Sequence, residues 1–303
     1  MSTLCLHHND ADGWASAAIV RRFYGPDTRC YEMNYGDPVP WDWVAQAERV
    51  VVVDFSLPLE VMRRLAEGRD FVWIDHHKTS VEAMAAEAER LGWPGLRDTT
   101  EAACVLTWRF FFPHQPPPRA VVLIGDRDIW RWAEPETGPF NAALYAEDDP
   151  SPCNDALWQP LLDDDPEFLQ RMLAKGEILH TQRLREVRRL VDDKAFEVQF
   201  EGLRTLALNT RGRGEIGEYI RQKGYPLAYC YFDAWHQGQL YTFVTLYSDQ
   251  VDVSAIARRF GGGGHPGAAG FGFPRGASPF PPGSRWAWPP SPTPSDPTAN
   301  QTN

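Results

Sequence analysis

The sequence predicts an α/β protein in which an amino-terminal, doubly wound and mainly parallel sheet is joined by a helical connector to a smaller mixed α/β domain. Two observations predict this fold class. Short apolar runs alternate with amphipathic helical stretches through the first half of the chain, which is typical of parallel strands connected by helices. From residue 195 the pattern changes to strand-like segments in pairs, which is typical of hairpins in a mixed sheet.

The first half can be taken segment by segment. Three strand-like segments, TLCLHH, RVVVVDFS and DFVWIDHH, are each followed by a helical one, namely GWASAAIVRRFYG, PLEVMRRLAEG and VEAMAAEAERLG. Pro58 suits the first turn of the second helix. The later segment AVVLIGDRDIW fits a strand or a helix equally well by its periodicity. In a doubly wound sheet the carboxyl ends of the strands face a common crevice, where ligands bind.

Four stretches divide the chain. We expect residues 1–146 to form the amino-terminal domain and residues 147–194 to form a loop and a long, charged connector helix. Residues 195–273 are predicted to form the mixed domain, with a hairpin from AFEVQF and LRTLALNT, strands from PLAYCYF and QLYTFVTLYS, and helices from EIGEYIRQKG and VSAIARRF. Residues 274–303 are rich in proline and are predicted to be a disordered or loosely docked tail.

Composition and charge narrow the function classes. The start of the chain lacks the pattern of a signal peptide, and no apolar window is long enough for a membrane helix, so neither secretion nor membrane insertion is predicted. Five scattered cysteines without a close pair indicate neither a disulfide framework nor a zinc knuckle, and they fit a reducing cytoplasm. The formal net charge of -11 argues against a protein that coats long nucleic acid, because that mode depends on many basic side chains.

Acids and imidazoles stand where the strand-like segments end. The first segment ends in HHNDAD, the second at Asp54 and the third in DHH, and a later apolar run closes with Asp126. If the sheet is parallel, these groups converge, and such a cluster of like charges is strongly unfavourable unless cations neutralise it. Carboxylates with imidazoles and no thiolate suit Mn²⁺ or a similar ion better than Ca²⁺ or structural Zn²⁺. The ligands outnumber the needs of one ion, so we expect two, about 3.5 to 4 Å apart.

The order of the motifs resembles a known family. HNDADG, VVVDFS, WIDHH and IGDRD, followed by GGGGHPGAAG, are similar to the successive motifs of the DHH phosphoesterase superfamily with its DHHA1 substrate-binding domain. The resemblance covers nearly the whole chain before the proline-rich tail. Within the superfamily it points to the nanoRNase or oligoribonuclease group and more distantly to RecJ exonucleases. It implies that residues 1–146 are the DHH catalytic domain and residues 195–273 the DHHA1 domain.

The resemblance also implies a set of metal ligands for two Mn²⁺ ions, with Mg²⁺ or Co²⁺ as alternatives. These ligands are His8 and Asp10 for one ion, Asp12, His76 and Asp126 for the other, and Asp54 as the bridge between them. Asp126 is preferred to Asp128 because the family's acid closely follows its apolar run. A hydroxide shared by both ions is the implied nucleophile. His77 then binds and protonates the scissile phosphate, and Asp75 orients a ligand imidazole.

The glycine-rich segment GGGGHPGAAG calls for a separate explanation. It lacks the Lys and Ser/Thr of a P-loop and does not match a dinucleotide fingerprint. Glycines can bring backbone N–H groups close to a phosphate without obstruction by side chains. The resemblance implies that this segment grips the far end of the substrate. The implied substrate-binding residues are Arg258, Gly262, Gly263, Gly264 and His265.

The sequence therefore predicts a cytoplasmic, Mn²⁺-dependent phosphodiesterase of the exoribonuclease type that hydrolyses short single-stranded oligonucleotides and dinucleotides to mononucleotides. RNA is preferred to DNA as the substrate. Three alternatives stay open: a hydrolase of 3′-phosphoadenosine 5′-phosphate or cyclic dinucleotides, a RecJ-like single-strand DNA exonuclease, and a sensor that binds nucleotides or RNA without turnover. The oligomeric state, a homodimer included, is also left open.

Overall fold

Four parallel strands form the centre of the amino-terminal unit in the computed structural model, which describes residues 1–289. In chain order they are β1 (Thr3–His8), β2 (Arg29–Met33), β3 (Arg49–Val53) and β4 (Asp70–Ile74). Their order in the sheet is β2-β1-β3-β4. Strand β2 therefore lies on one side of β1, and strands β3 and β4 lie on the other. This reversal makes a topological switch point at the carboxyl ends of β1 and β3, where open α/β sheets bind their ligands.

Helices follow the strands of this unit. They are α1 (Ala11–Tyr24), α2 (Trp41–Val44), α3 (Leu59–Ala66), α4 (Lys78–Arg90), α5 (Ala103–Phe111), α6 (Arg119–Asp128), α7 (Thr137–Leu144), α8 (Asp155–Leu162) and α9 (Pro166–Lys194). The unit ends at Leu184, so α9 contributes to it and to the second unit, which begins at Arg185. Within residues 1–289, no helix combines the length and the apolar character needed to cross a membrane.

Both faces of the parallel sheet are buried. Val51 and Val53 of β3 lie in one core with residues of α1, α5 and α6. Val50 and Val52 point the other way and lie in a second core with residues of α3 and α4. Strands buried on both faces have near-continuous apolar sequences, which is why these segments were recognisable. The predicted doubly wound architecture is confirmed.

Two segments of this unit add to the sequence interpretation. The ambiguous run AVVLIGDRDIW belongs to helix α6, which begins after Pro118 and buries Val121 and Ile124. Strand β2 was not predicted. It lies at the edge of the sheet, and since its residues are mostly exposed or half-buried, it lacks the apolar run of its neighbours.

The second unit is a mixed sheet with two helices packed on it. Its strands are β5 (Phe196–Phe200), β6 (Leu203–Asn209), β7 (Leu227–His236), β8 (Gln239–Tyr247), β9 (Gly263–Gly264), β10 (Ala268–Pro274) and β11 (Trp286–Ala287), and its helices are α10 (Gly214–Gln222) and α11 (Val253–Arg259). The sheet order is β11-β5-β6-β7-β8-β10-β9. The predicted hairpin is β5-β6, and β6-β7 is a parallel pair connected through α10. The mixed α/β prediction is confirmed.

The proline-rich stretch corrects one expectation, since its first part is packed against the second unit. Phe280 is only 4% exposed and lies against the rings of Phe200 and Tyr229. Strand β11 then pairs with β5, and the backbone N–H of Arg285 donates to the Glu201 carboxylate at 3.0 Å. The rest of the predicted tail, residues 290–303, lies outside the described residues.

We expect Phe280→Ala to lower the free energy of unfolding of the second unit by about 3 to 5 kcal/mol, because it removes a buried aromatic ring and leaves a cavity. Urea denaturation followed by circular dichroism measures this loss. Trp288→Ala is the matched control, because Trp288 is 63% exposed in the same segment. Equal unfolding midpoints for wild type and Phe280→Ala would show that this segment is not part of the folded unit.

Candidate metal centre

The segment HNDADG, residues 8–13, carries the chain from β1 into α1 at the switch point. Asp10 is the N-cap of α1: one carboxylate oxygen accepts the backbone N–H of Gly13 at 3.0 Å, and the other lies 2.9 Å from Nδ1 of His8. A Cβ on Gly13 would come within 2.2 Å of the His8 carbonyl oxygen. Only glycine therefore lets the helix start this close to the strand, which keeps His8 and Asp10 together.

Asp12 is buried and is held by a second helix. Its two carboxylate oxygens accept the backbone N–H groups of Ala103 at 2.8 Å and Cys104 at 2.7 Å, the first residues of α5. These donors have no partner within their own helix, and the positive end of the helix dipole favours a carboxylate there. Asp12 Oδ2 also lies 3.5 Å from Nε2 of His76. Helix α5 thus fixes Asp12 beside His76, which closely follows strand β4.

Asp54 stands between the two groups of side chains. It follows β3 in a left-handed conformation, with φ of 54°, which costs energy for a residue other than glycine and often marks a functional site. Its Oδ1 lies 3.2 Å from Nε2 of His76, and its Oδ2 lies 3.9 Å from Nδ1 of His8. This Oδ2 is buried and accepts no hydrogen bond within residues 1–289. Asp54 has the placement expected of a bridging ligand.

The fourth motif corrects the sequence interpretation, because Asp128 and not Asp126 joins this cluster. Asp128 Oδ2 lies 3.4 Å from Nε2 of His76. Asp126 instead accepts the backbone N–H groups of Ala133 at 2.9 Å and Glu134 at 3.2 Å, and the Thr137 hydroxyl. Residues two apart on a helix point about 200° away from each other, so α6 can turn only one of these acids toward the site.

Two sets of side chains that lie wholly within the amino-terminal unit meet the requirements of a metal site. In each set, one ligand atom per residue lies within 4.8 Å of the others; the sets are His8, Asp10 and Asp54, and Asp12, His76 and Asp128. Oδ2 of Asp54 and Oδ2 of Asp128 are buried without a hydrogen-bond donor in the described chain, which is expected of oxygens that ligate a cation. Carboxylate and imidazole ligands suit Mn²⁺ and similar ions. The residues present therefore fit two neighbouring divalent cations.

The carboxyl groups show the electrostatic cost of this arrangement. Burial raises the pKa of Asp12 to about 6, and the negative charge of Asp128 adds to the shift. Burial also raises the pKa of Asp54 well above its ordinary value, together with the charges of Asp12 and Asp10. Burial would raise the pKa of Asp10 too, but the hydrogen bond to His8 and its charge outweigh it and lower that pKa. A divalent cation would relieve the repulsion at Asp12 and Asp54.

The second histidine of the pair is oriented by Asp75. Asp75 Oδ1 lies 2.8 Å from the ring Nδ1 of His77 and accepts the backbone N–H groups of His76 at 2.8 Å and His77 at 3.0 Å. Burial alone would lower the pKa of His77, but the hydrogen bond and charge of Asp75 raise it to about 9. The structure thus connects Asp75 to the ring of His77, whereas the sequence interpretation assigned it to a metal-ligating imidazole. His77 is a cation at neutral pH and can bind an anion.

The sequence interpretation missed one aromatic residue beside these histidines. Tyr35 follows β2, is 57% exposed, and has its ring centroid 5.9 Å from that of His8 and 6.4 Å from that of His77. It was overlooked because β2 itself was not recognised as a strand. Recognition of an edge strand there would have placed Tyr35 at a strand end, with the other candidate residues.

The glycine-rich segment lies in the second unit. Close packing of the backbone there requires some of its glycines. Gly263 and Gly264 form β9, and a Cβ on Gly262 would lie 2.0 Å from the carbonyl oxygen of Gly270. The Gly262 N–H already donates to the Ala257 carbonyl, so it is not available to a phosphate. His265 closes the turn by hydrogen bonds between its backbone and that of Ala268. Arg258 is exposed in the last turn of α11. Substrate binding by this segment stays a prediction.

Comparison with known proteins gives distant similarities. No protein-family model matches the chain. A curated relative, the uncharacterized protein R106 of Acanthamoeba polyphaga mimivirus, is 25% identical over 253 residues, which cover 77% of this chain and 55% of the relative. The chain thus spans about half the length of that relative.

Two solved structures are similar to this one over most of the chain. One is a pGpG-specific phosphodiesterase, PggH, of Vibrio cholerae, with 13% identity, a TM-score of 0.49, and coverage of 90% of this chain and 94% of that one. The other is the DHH domain of a member of the S1p family of ribosomal proteins, with 14% identity, a TM-score of 0.49, and coverage of 89% and 82%. The chain resembles DHH phosphoesterases. Its motifs carry that resemblance, since their acids and imidazoles meet at one end of the parallel sheet.

We expect Asp128→Asn to weaken Mn²⁺ binding at least about tenfold, because it removes a carboxylate from the cluster. Asp126→Asn should instead lower the free energy of unfolding by about 1 to 3 kcal/mol, through its lost hydrogen bonds, and leave the Mn²⁺ affinity nearly unchanged. Metal titration calorimetry and urea denaturation of both variants check this. The opposite assignment of the two acids is correct if Asp126→Asn loses metal uptake and Asp128→Asn keeps it.

The stabilisation by Mn²⁺ should grow with pH. In the metal-free protein, the raised pKa of Asp12 means that its contribution to stability is fully present below about pH 4 and is lost as the pH rises through about 6, and the raised pKa of Asp54 acts in the same direction. The ion binds the deprotonated carboxylates and restores the lost stability. Differential scanning fluorimetry with EDTA or MnCl₂ should therefore show a larger rise in melting temperature at about pH 8 than at about pH 5. An equal rise at both pH values would mean that these carboxyl groups do not control metal binding.

Proposed function

We propose that the protein is a Mn²⁺-dependent phosphodiesterase that hydrolyses short single-stranded oligonucleotides, RNA in the first place, to mononucleotides. One observation carries the proposal: four separate segments at the carboxyl ends of the parallel sheet bring carboxylates and imidazoles into two adjoining ligand sets. Asp54 of the first set lies 3.2 Å from the ring nitrogen of His76 in the second. Two adjacent divalent ions are the usual device for displacement at phosphorus.

The chain's own residues have distinct tasks in this reaction. His8 and Asp10 would hold one ion, and Asp12, His76 and Asp128 the other, with Asp54 as the shared ligand. When bound, the ions would lower the pKa of a water molecule and neutralise charge on the phosphate. His77 is kept protonated by Asp75 and can bind a phosphate oxygen and give its proton to the departing oxygen.

The charge distribution supports short substrates. The formal net charge of -11 gives little attraction for a long polyanion, so phosphates must be bound by cations placed locally. Arg258, beside the glycine-rich turn in the second unit, is one such exposed cation. A strand of a few nucleotides needs only a few of these contacts.

A substrate panel tests the proposal. We expect turnover, with Mn²⁺, of labelled RNA of two to five nucleotides, and slower turnover of longer RNA and single-stranded DNA. Asp54→Ala should lower the rate by more than about a hundredfold, because changes to groups merely supporting the ligands already cost about 10- to 100-fold. Asp42→Ala is the matched control, since Asp42 is an exposed acid in the same unit. Product analysis by chromatography gives the rates.

The panel also includes 3′-phosphoadenosine 5′-phosphate and linear and cyclic dinucleotides, because the same site could act on them. Preference for one of these small nucleotides over short RNA would replace the proposed substrate and keep the reaction type. Preference for long single-stranded DNA would favour the RecJ-like alternative. If the protein binds these molecules and turns over none of them, it is a sensor and the proposed activity is wrong.

A further inference from the structure

The hairpin of β7 and β8 presents a group of rings on one face, here called the aromatic row: Phe232, His236, Tyr241 and Phe243. Phe232 and Phe243 are directly opposite each other across the strand pair, and their rings are 5.6 Å apart with an interplanar angle of 25°. The ring of Tyr241 is 6.0 Å from that of Phe243 at 30°. Phe232, Tyr241 and Phe243 are half-buried and His236 is exposed. The ring of His236 stands at 72° to that of Tyr241 and at 89° to that of Phe243. The row is therefore a partly exposed aromatic surface with three nearly parallel rings.

The neighbouring strand β10 borders this surface. Its sequence AAGFGFP alternates glycine and phenylalanine, so Phe271 and Phe273 lie in the core while Gly270 and Gly272 face the other way. Gly272 is opposite Phe243, and a Cβ there would approach the ring to 3.1 Å. A glycine inside a strand weakens it and often marks a place where a ligand approaches closely. At this position the ring of Phe243 itself packs over Gly272 and fills the space that a side chain would occupy.

Two cations lie at the edge of the row. The guanidinium of Arg211 is 4.7 Å from the ring centroid of Phe232. The loop that carries Arg211 and Arg213 is fixed close to β8, since a Cβ on Gly212 would lie 2.4 Å from Cβ of Thr245. Both arginines are exposed, and neither forms an ion pair within residues 1–289. The surface thus combines partly exposed aromatic rings with positive charge that forms no ion pair with a carboxylate of the described chain.

We propose that the aromatic row binds single-stranded nucleic acid, with bases stacked on Phe243, Tyr241 and Phe232 and phosphates bound by Arg211 and Arg213. Every base has a flat face that stacks on such rings whatever its sequence. Sheets that bind RNA present aromatic side chains from adjacent strands in this way. Cross-strand aromatic pairs and rings packed over strand glycines also stabilise sheets, but that role does not require two arginines without an acidic partner. The aromatic row rests on the proposed function and extends it, since it would bind the bases of the same substrate.

Binding without turnover tests this surface. In EDTA, fluorescence anisotropy with a labelled single-stranded RNA measures the dissociation constant of the whole protein. We expect Tyr241→Ala and Phe243→Ala each to weaken binding about tenfold, and Phe243→Trp to retain it, because an indole still stacks. Arg211→Gln should weaken binding and reduce its dependence on salt. Trp235→Ala is the matched control, because Trp235 is 76% exposed on the opposite face of the same hairpin.

Further measurements separate the binding surface from the chemistry. Circular dichroism spectra should be unchanged in the variants, and a small phosphodiester, bis(4-nitrophenyl) phosphate, should be hydrolysed with Mn²⁺ at the wild-type rate. Photocrosslinking with RNA that carries 5-iodouridine should attach to Tyr241 or Phe243 and not to Trp235. If the wild type binds with this pattern and hydrolyses nothing, the surface stands and the proposed activity fails.

Any of three results would overturn the assignment of the aromatic row to nucleic-acid binding. These are no binding by the wild type in EDTA, equal losses in Trp235→Ala and Phe243→Ala, and crosslinks confined to other parts of the chain. Tighter binding of an acidic peptide than of RNA, with the same sensitivity to Tyr241→Ala, would make the row a protein-binding surface instead. Equal affinity for single-stranded RNA and DNA supports the proposal, since stacking and phosphate contacts are common to both.

Discussion

Repulsion among buried carboxylates is the constraint on which the amino-terminal unit depends. Asp12 and Asp54 are each about 1% exposed and lie on either side of one imidazole nitrogen of His76. At the effective dielectric constant of a protein, two charges about 4 Å apart repel by about 4 kcal/mol. The rest of the fold holds them there regardless: α5 fixes Asp12 by its first N–H groups, and Asp54 keeps a left-handed backbone. At neutral pH a cation is the natural counterpart of this arrangement.

The two adjacent histidines contact different carboxylates, because successive residues after a strand point in different directions. His76 is turned inward, where Nε2 lies within 3.5 Å of carboxylate oxygens from Asp12, Asp54 and Asp128. His77 is turned toward Asp75, whose Oδ1 lies 2.8 Å from its Nδ1. At the proposed site the pair would supply a metal ligand and a protonated group from consecutive positions. One imidazole could not do both, because a nitrogen that binds a metal ion carries no proton.

The sequence predicted the strands correctly where both of their faces are buried. It was misleading where apolar residues are few or have no clear period. The strands buried on both faces appeared as apolar runs, so the convergence of His8, Asp12, Asp54 and His76 followed from parallel pairing. The fourth acid was assigned to Asp126 by resemblance, because AVVLIGDRDIW had no decisive period, and its helical state turns Asp128 toward the cluster instead. Edge strand β2 and the packed segment around Phe280 were missed for a shared reason. Each contributes a few apolar side chains within a polar or proline-rich context, and average composition hides them.

The second unit places exposed cations beside aromatic rings in a chain whose formal net charge is -11. Its sheet is covered on one face by α11, while α10 on the other face reaches Tyr247, where Gly217 allows close contact, and stops short of the aromatic row. The uncovered part is bordered by Arg211 and Arg213, which have no acidic partner in the described chain. If this surface binds phosphates as proposed, Arg211 and Arg213 limit the electrostatic gain to a few of them, because the chain as a whole carries a formal net charge of -11. Stacking on aromatic rings would add affinity without adding charge, so the proposed surface suits short strands better than long ones.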